Sequence, residues 1–197
     1  MIHVDPPFDL GETLKGTDDD SNLINTHWEG AIFSFPDVDR SVGPRAGRTR
    51  RSGAAIRAVC VRNTSGGALV VAKKVLKFDL TPGASTGRKL LGSVDGQGSA
   101  VNQFGGVGDN ELTTSVASND LFWLVVGGPV EVLYKDGESI AVGDLLITSA
   151  TAGSVIEAAA GSATIGMVAA VNIIGRALVA EGTTSSTTGL IQVAVNI

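Results

Sequence analysis

The chain has 197 residues, of which 43% are hydrophobic, so it carries enough apolar material for a folded core and is not globally disordered. Its net charge of −5 excludes a generally basic nucleic-acid binder, and its single cysteine excludes an intrachain disulfide. Twenty-six glycines argue against helices, because each costs a helix about 1 kcal/mol relative to alanine. We predict a mainly β fold: an antiparallel β barrel or sandwich of short strands, preceded by an extended N-terminal arm.

The predicted arm covers residues 1–53, which show no sustained periodicity of either helix or strand. Apolar residues come singly or in small groups, and we expect such a segment to lie on another surface and dock a few side chains. Trp28, Phe33 and Phe35 are the largest of these anchors. A flexible solvated tail is the alternative, and these aromatic residues argue against it because exposed aromatics promote aggregation.

Charge is segregated along the N-terminal third of the chain. Residues 1–39 carry nine acidic residues and one lysine, whereas residues 40–62 carry seven arginines and no acid. Guanidinium groups suit carboxylates and phosphates, so we predict docking on an acidic partner; a solvated loop balanced by the acidic segment is the alternative. Nucleic acid is disfavoured, because no aromatic residues alternate with the arginines. The predicted partner contacts are Trp28, Phe33, Phe35, Arg40, Arg45, Arg48, Arg50 and Arg51.

A β-rich domain is predicted from residue 54 to residue 197. Residues 54–80 read as a hairpin of two apolar strands around a turn at Asn63–Gly67, and the alternation around Cys60 predicts a buried structural thiol. Residues 92–118 are rich in Gly, Ser, Asn and Gln, and we expect a mobile or partner-facing loop there.

Residues 121–197 form the predicted β module, in which short strands recur about every ten residues between Gly- and Asp-rich turns. Trp123 and Tyr134 fall within strands and are expected in the core, and the last strand is expected to pair inside the sheet. The predicted strands are Leu121–Val126, Val130–Tyr134, Leu145–Thr148, Ser154–Glu157, Ile165–Val171, Arg176–Val179 and Leu190–Ile197. The first two are separated by a predicted turn, Gly127-Gly128-Pro129.

Residues that could support catalysis or bind a metal are few. The two histidines, His3 and His27, lie in the arm, and with one cysteine they make no zinc site. Gly83–Lys89 departs from a phosphate-binding loop in its spacing. A Ser149/Lys135 dyad for hydrolysis or autoproteolysis stays open, although Ser149 occupies a position typical of a turn serine. We predict no enzyme activity, no catalytic residue, no cofactor and no metal.

One segment resembles a known module. The phrase consists of Gly128–Leu133, then Ile140–Ser149 with its Val142-Gly143-Asp144 corner, then Gly153–Val155, Ile165–Val168, Ile174–Leu178 and a closing Val-Ala-Val strand. It resembles the β-rich domain of tailed-bacteriophage capsid decoration proteins, also called cement or head-stabilising proteins. The same module recurs in phage tail-fibre and tailspike segments. The resemblance covers about 70 residues and does not extend to the N-terminal 120.

The resemblance implies a structural virion protein that binds the outer capsid surface and bridges subunits of the major capsid protein. It further implies a homo-oligomer, a trimer or dimer, that is made in the host cytoplasm and contacts neither nucleic acid nor membrane. The alternative is a receptor- or carbohydrate-binding segment of a phage tail fibre or spike. No run of apolar residues approaches the length of a membrane span, and the N-terminus has no signal pattern.

Overall fold

The computed structural model describes residues 5–38, 55–79, 92–99, 105–158, 173–180 and 188–194, and in the last range only the side chains of Ile191 and Val193. It confirms the mainly β fold, since the helical content of these ranges is one 3-10 turn, Thr26–Trp28. The strands are β1 (Ile32–Pro36), β2 (Ala55–Asn63), β3 (Val75–Phe78), β4 (Ser93–Gln97), β5 (Gly105–Gly108), β6 (Leu121–Leu133), β7 (Leu145–Thr148), β8 (Val155–Glu157), β9 (Ile173–Ala177) and β10 (Thr188–Ala194).

Five strands close into a first ring, in the order β2-β4-β3-β5-β6 and back to β2. Every pairing in this ring is antiparallel except that of β2 with β4, which is parallel. Apolar side chains such as Val61, Val75 and Phe122 are fully buried in the main core. Closing the ring leaves these strands without a free edge, which removes a common route to aggregation.

The C-terminal half of β6 leads into a second group of strands, in the order β6-β10-β9-β7-β8. A parallel bridge between Tyr134, the residue after β6, and Val155 in β8 joins the two ends of this group. The C-terminal strand β10 lies between β6 and β9, which confirms that it pairs inside the sheet. The two rings therefore share one strand of thirteen residues, β6.

The predicted turn at Gly127-Gly128-Pro129 is wrong, because β6 runs through it without a break. Gly128 has a φ of +97°, and a Cβ there would overlap the backbone oxygen of Ala55. The glycine thus lets β2 approach closely while β6 bends, and the β2–β6 register shifts beside it, between Arg57 and Ala58. The run Gly127-Gly128-Pro129, which has the composition of a turn, is the position where the pairing of β6 with β2 ends and its pairing with β10 begins.

The predicted hairpin of residues 54–80 is also not found, since β2 and β3 do not pair and β4 lies between them. The glycine-rich stretch 92–118 instead supplies β4 and β5, both parts of the first ring. A Cβ at Gly105 or Gly108 would overlap a backbone oxygen of the neighbouring chain segment. Glycine at these positions lets the backbone of β5 lie close to the neighbouring segment of the ring. A glycine-rich composition that is typical of loops is therefore required here in a strand.

Candidate functional site

The N-terminal segment, residues 5–38, lies along the outer face of the first ring. It contributes Phe8, Leu10 and Phe35 to a second apolar cluster, and β2 and β6 contribute the remaining residues from their outward faces. We call this cluster the aromatic core; its buried members are Phe8, Leu10, Phe35, Ala58, Cys60, Leu121 and Trp123. Strand β6 is consequently buried on both faces, which explains its uninterrupted apolar sequence from Leu121 to Val126.

Trp123 occupies the centre of the aromatic core and is fully buried, as predicted. Phe8 stacks on it with ring centroids 4.7 Å apart, and Phe35 and Phe33 approach edge-on at 5.1 Å and 5.5 Å. The indole Nε1 donates a hydrogen bond to the carbonyl oxygen of Phe8 at 3.1 Å. The N-terminal segment therefore meets both the apolar body and the polar edge of this one side chain.

The three predicted aromatic anchors take different positions. Phe35 is only 4% exposed, so its side chain is committed to the aromatic core. Trp28 and Phe33 pack against the same core with ring centroids 6.2 Å apart, and each side chain remains partly exposed to solvent. His27 is exposed beside Trp28, with ring centroids 4.8 Å apart. Only Trp28 and Phe33 thus retain surface for an external partner, and that role stays a prediction.

Arg62 is buried and links β2 to the N-terminal segment, and we call its set of contacts the clasp. Its guanidinium is fully buried and forms an ion pair with Glu29, which is 3% exposed. It also donates to the carbonyl oxygens of Gly16 at 2.8 Å, Ile24 at 2.8 Å and Asn119 at 2.6 Å. The planar fork thus binds Glu29 and three backbone carbonyl oxygens at once, which a lysine at this position would not do.

Sequence reasoning counted Arg62 in the arginine cluster of residues 40–62, did not include it among the predicted partner contacts, and missed this clasp. A signal for it was present, because Arg62 directly follows the apolar run Ala58–Val61, which is buried throughout. Nothing in the sequence identified Glu29 as its counterion.

Two aspartates hold the N-terminal segment to the loop before β6. Asp109 accepts a hydrogen bond from the backbone N–H of Gly11 at 2.6 Å, and Asp120 accepts one from that of Gly16 at 3.0 Å. Leu14 forms an antiparallel bridge with Leu121, the first residue of β6. Together with the aromatic core and Arg62, these contacts make residues 5–38 an integral layer of the fold.

Arg40, Arg45, Arg48, Arg50 and Arg51 lie outside the described residues. The structure does describe both ends of the connection that carries them, because Pro36 in β1 pairs directly with Ala55 in β2. The strand residues that flank this connection are therefore adjacent in the sheet. Arg57, which follows on β2, is exposed.

The residues considered for chemistry have structural roles in the described part of the chain. The hydroxyls of Ser149 and Ser154 lie 2.5 Å apart and share a hydrogen bond, both lie within 2.9 Å of the carbonyl oxygen of Thr151, and the Thr151 N–H donates to the Ser149 hydroxyl, which confirms the turn role of Ser149. Lys135 Nζ binds Glu138 at 2.6 Å. Burial raises the pKa of the Cys60 thiol to about 12, so it is protonated at neutral pH and is a poor nucleophile. Among the described residues, no group of three or more His, Cys, Asp or Glu side chains is arranged to hold a metal.

Comparison with solved structures identifies a structural similarity. No family model matches the chain, and no curated protein matches it. Among solved structures, it is similar to the head fiber gp8.5 N base in bacteriophage phi29, with 15% sequence identity and a TM-score of 0.41. The similarity covers 70% of this chain and 94% of that chain, and at this TM-score it establishes neither a family nor a function. In the described ranges, no helix has the length and apolarity required to span a membrane.

Proposed function

We propose that this chain is a non-enzymatic structural protein of a phage virion. It binds the outer surface of the capsid and stabilises it by bridging subunits of the major capsid protein. The observation that carries the proposal is the placement of the arginine-rich connection, residues 37–54, between the paired positions Pro36 and Ala55. The sequence resemblance of residues 128–197 to capsid decoration proteins supplies the class of partner.

The rigidity of the fold around this connection supports a role in contact. β1 is fixed to the first ring by its pairing with β2 and by Phe35 in the aromatic core. The N-terminal layer that leads to β1 is held by the buried Arg62–Glu29 pair. Five arginines are thus carried between two firmly held strands, where their guanidinium forks can meet carboxylates on an acidic surface.

The layered position of residues 5–38 changes which part of the predicted arm makes the contacts. Because this segment packs on the first ring of the same chain, we assign the capsid contacts to Arg40, Arg45, Arg48, Arg50 and Arg51. Trp28 and Phe33 supply adjoining apolar surface. A symmetric shell favours an oligomeric partner, and we propose a homo-oligomer, a dimer or a trimer, on the capsid surface.

The test is a substitution experiment and not a truncation, since removing residues 1–53 would also remove β1 and part of the aromatic core. The test variant is Arg48→Ala/Arg50→Ala/Arg51→Ala. The control, Lys15→Ala/Lys73→Ala/Lys135→Ala, removes the same charge from described positions elsewhere. Both proteins are mixed with capsids purified without the decoration protein, and bound protein is measured by co-sedimentation.

We expect the arginine variant to lose most capsid binding and the lysine variant to retain it. Equal binding by both variants would contradict the assignment of the contact to the arginine-rich connection, residues 37–54. The broader proposal is tested by immunodetection in purified virions, and absence from virions would overturn it.

The alternative, glycan binding in a fibre or spike, would use exposed tryptophan or tyrosine side chains, and none of those in the described residues is fully exposed. Both tryptophans and the single tyrosine of the chain lie in described ranges. Trp123 and Tyr134 are at most 1% exposed, and Trp28 is partly covered by Phe33. A strong, specific signal on a glycan array would nevertheless favour this alternative over capsid binding.

A further inference from the structure

Strand β1 ends the order of paired strands in the described part of the fold. It pairs with β2 on one side, and no described strand pairs with its other side. We call this second side the outer edge of β1. An open edge presents a row of backbone donors and acceptors that can template pairing with another chain.

The phase of the β1–β2 ladder identifies the backbone groups on this outer edge. The carbonyl of Ala31 accepts from the N–H of Cys60 at 2.8 Å, so Ala31 faces β2. In an antiparallel ladder, the backbone N–H and C=O groups of successive residues point alternately to the two sides of the strand. The backbone groups of Phe33 and Phe35 therefore point toward β2, and those of Ile32 and Ser34 point to the outer edge. Pro36 shares the outward phase, so its missing N–H costs the β1–β2 ladder nothing.

The edge of β1 lacks one common form of protection. Natural edge strands are blocked by charged side chains, by proline or by short length; Ile32–Pro36 contains no charge, whereas its five-residue length and the terminal Pro36 limit any pairing to this short stretch. Ile32 is 51% exposed, which places a large β-branched side chain on the surface. Residues 5–38 as a whole carry eight acids and one lysine, so an uncharged stretch such as β1 allows two copies to approach without direct repulsion.

We propose that β1 pairs with β1 of a second copy of this chain, antiparallel about a two-fold axis at Ser34. In this register the two Ser34 residues exchange both hydrogen bonds, and each Ile32 N–H donates to the carbonyl of Pro36 in the other copy. Every outward N–H of both strands finds an acceptor, and the proline is required only to accept. Phe33 of each copy lies opposite Phe35 of the other.

The size of this contact sets the expected strength of the dimer. One five-residue strand pair buries much less than the roughly 1,200–2,000 Å² of a stable interface, so association is weak and depends on concentration. Many copies held close together on a surface would strengthen it by raising the effective concentration. The inference concerns self-association only, and its test in solution does not depend on capsid binding.

The experiment measures the mass of the purified full chain by sedimentation equilibrium over a wide range of concentrations. The test variants are Ser34→Pro, which removes the central outward N–H, and Ile32→Lys, which adds a charge to the edge. The controls are Ser34→Ala, which keeps the N–H, and Val142→Lys, which changes another exposed β-branched side chain, 65% exposed. Thermal melting verifies that each variant is folded.

We expect the mass of the wild-type chain and both controls to rise from 20.0 kDa toward twice that value. Ser34→Pro and Ile32→Lys should remain monomeric. A wild-type mass of one chain at every concentration would overturn the proposal, as would a dimer that persists in Ile32→Lys. A limiting mass of three chains would also overturn it, because antiparallel pairing of one edge closes at two copies.

A crosslink tests the register. Ser34→Cys places two thiols at the two-fold axis, where the Cα separation of about 5.5 Å in a hydrogen-bonded pair suits a disulfide. Mild oxidation should give a covalent dimer, and Cys60 does not compete because it is buried. Val142→Cys is the control. Equal crosslinking of both variants would refute the proposed axis.

Discussion

Replacing Arg62 by methionine should destabilise the fold strongly, because this side chain holds the N-terminal layer on the first ring. The change removes the counterion of Glu29 and the donors to three backbone carbonyls, while methionine keeps much of the apolar volume. Glu29 would be left as a buried carboxylate with no cation beside it. This is the situation in which truncating one partner of a buried pair costs most.

The expected magnitude follows from the burial of both partners, at 0% and 3% exposure. Breaking such a pair costs about 3–5 kcal/mol. For a chain of this length, each kcal/mol corresponds to roughly 2–4 °C in melting temperature, so Tm should fall by about 6–20 °C. The double variant Arg62→Met/Glu29→Leu removes both charges and should recover part of this loss.

The assay is thermal and urea denaturation followed by circular dichroism and by tryptophan fluorescence. Arg57→Met is the matched control, because Arg57 lies on the same strand and is exposed. Its effect should stay within about 0.5 kcal/mol. If Arg62→Met costs no more than Arg57→Met, or if the double variant is less stable than Arg62→Met alone, the clasp does not hold the layer.

Three further predictions concern individual positions. Gly105→Ala should cost about 1–3 kcal/mol by overpacking against β3, whereas Gly67→Ala, with open space around it, should be nearly neutral; equal Tm values would contradict the close approach. The Cys60 pKa, raised from 9.0 to about 12 in the fold, predicts a thiol that reacts with a thiol reagent at pH 8 only after denaturation. Because the fold favours the protonated thiol, the stability that Cys60 contributes is fully present below pH 9 and is lost as the pH rises toward 12. A urea midpoint that does not change across this range would argue against burial of the Cys60 thiol. Phe35→Ala should cost about 3–5 kcal/mol and Ile32→Ala less than about 1, and comparable urea midpoints would show that Phe35 is not part of the aromatic core.

Local patterns in the sequence predicted the features that depend on neighbours in the chain. The apolar run Leu145–Thr148 between turn residues identifies β7 with its observed bounds. Alternation around Cys60 and the apolar context of Trp123 predicted their burial, and both are fully buried. These predictions succeed because strand periodicity and side-chain hydrophobicity are properties of a few consecutive residues.

Features that depend on distant segments could not be predicted. The glycines at 105–108 and 127–128 have the composition of turns, and only the close approach of another strand makes them strand residues. Likewise, Arg62 resembles in sequence the arginines before it, and its partner Glu29 is separated from it by 33 residues. The order of strands in the rings is set by such distant pairings, which one sequence does not reveal.

The sharing of β6 by both rings has a consequence for how the molecule unfolds. Opening either ring requires β6 to lose partners, and its thirteen residues pair with β2, β5 and β10. The rings are therefore coupled into a single cooperative unit, although each has the size of a small domain. Backbone amides at the centre of β6, around Val125 and Val126, should be the last in the chain to exchange with deuterium.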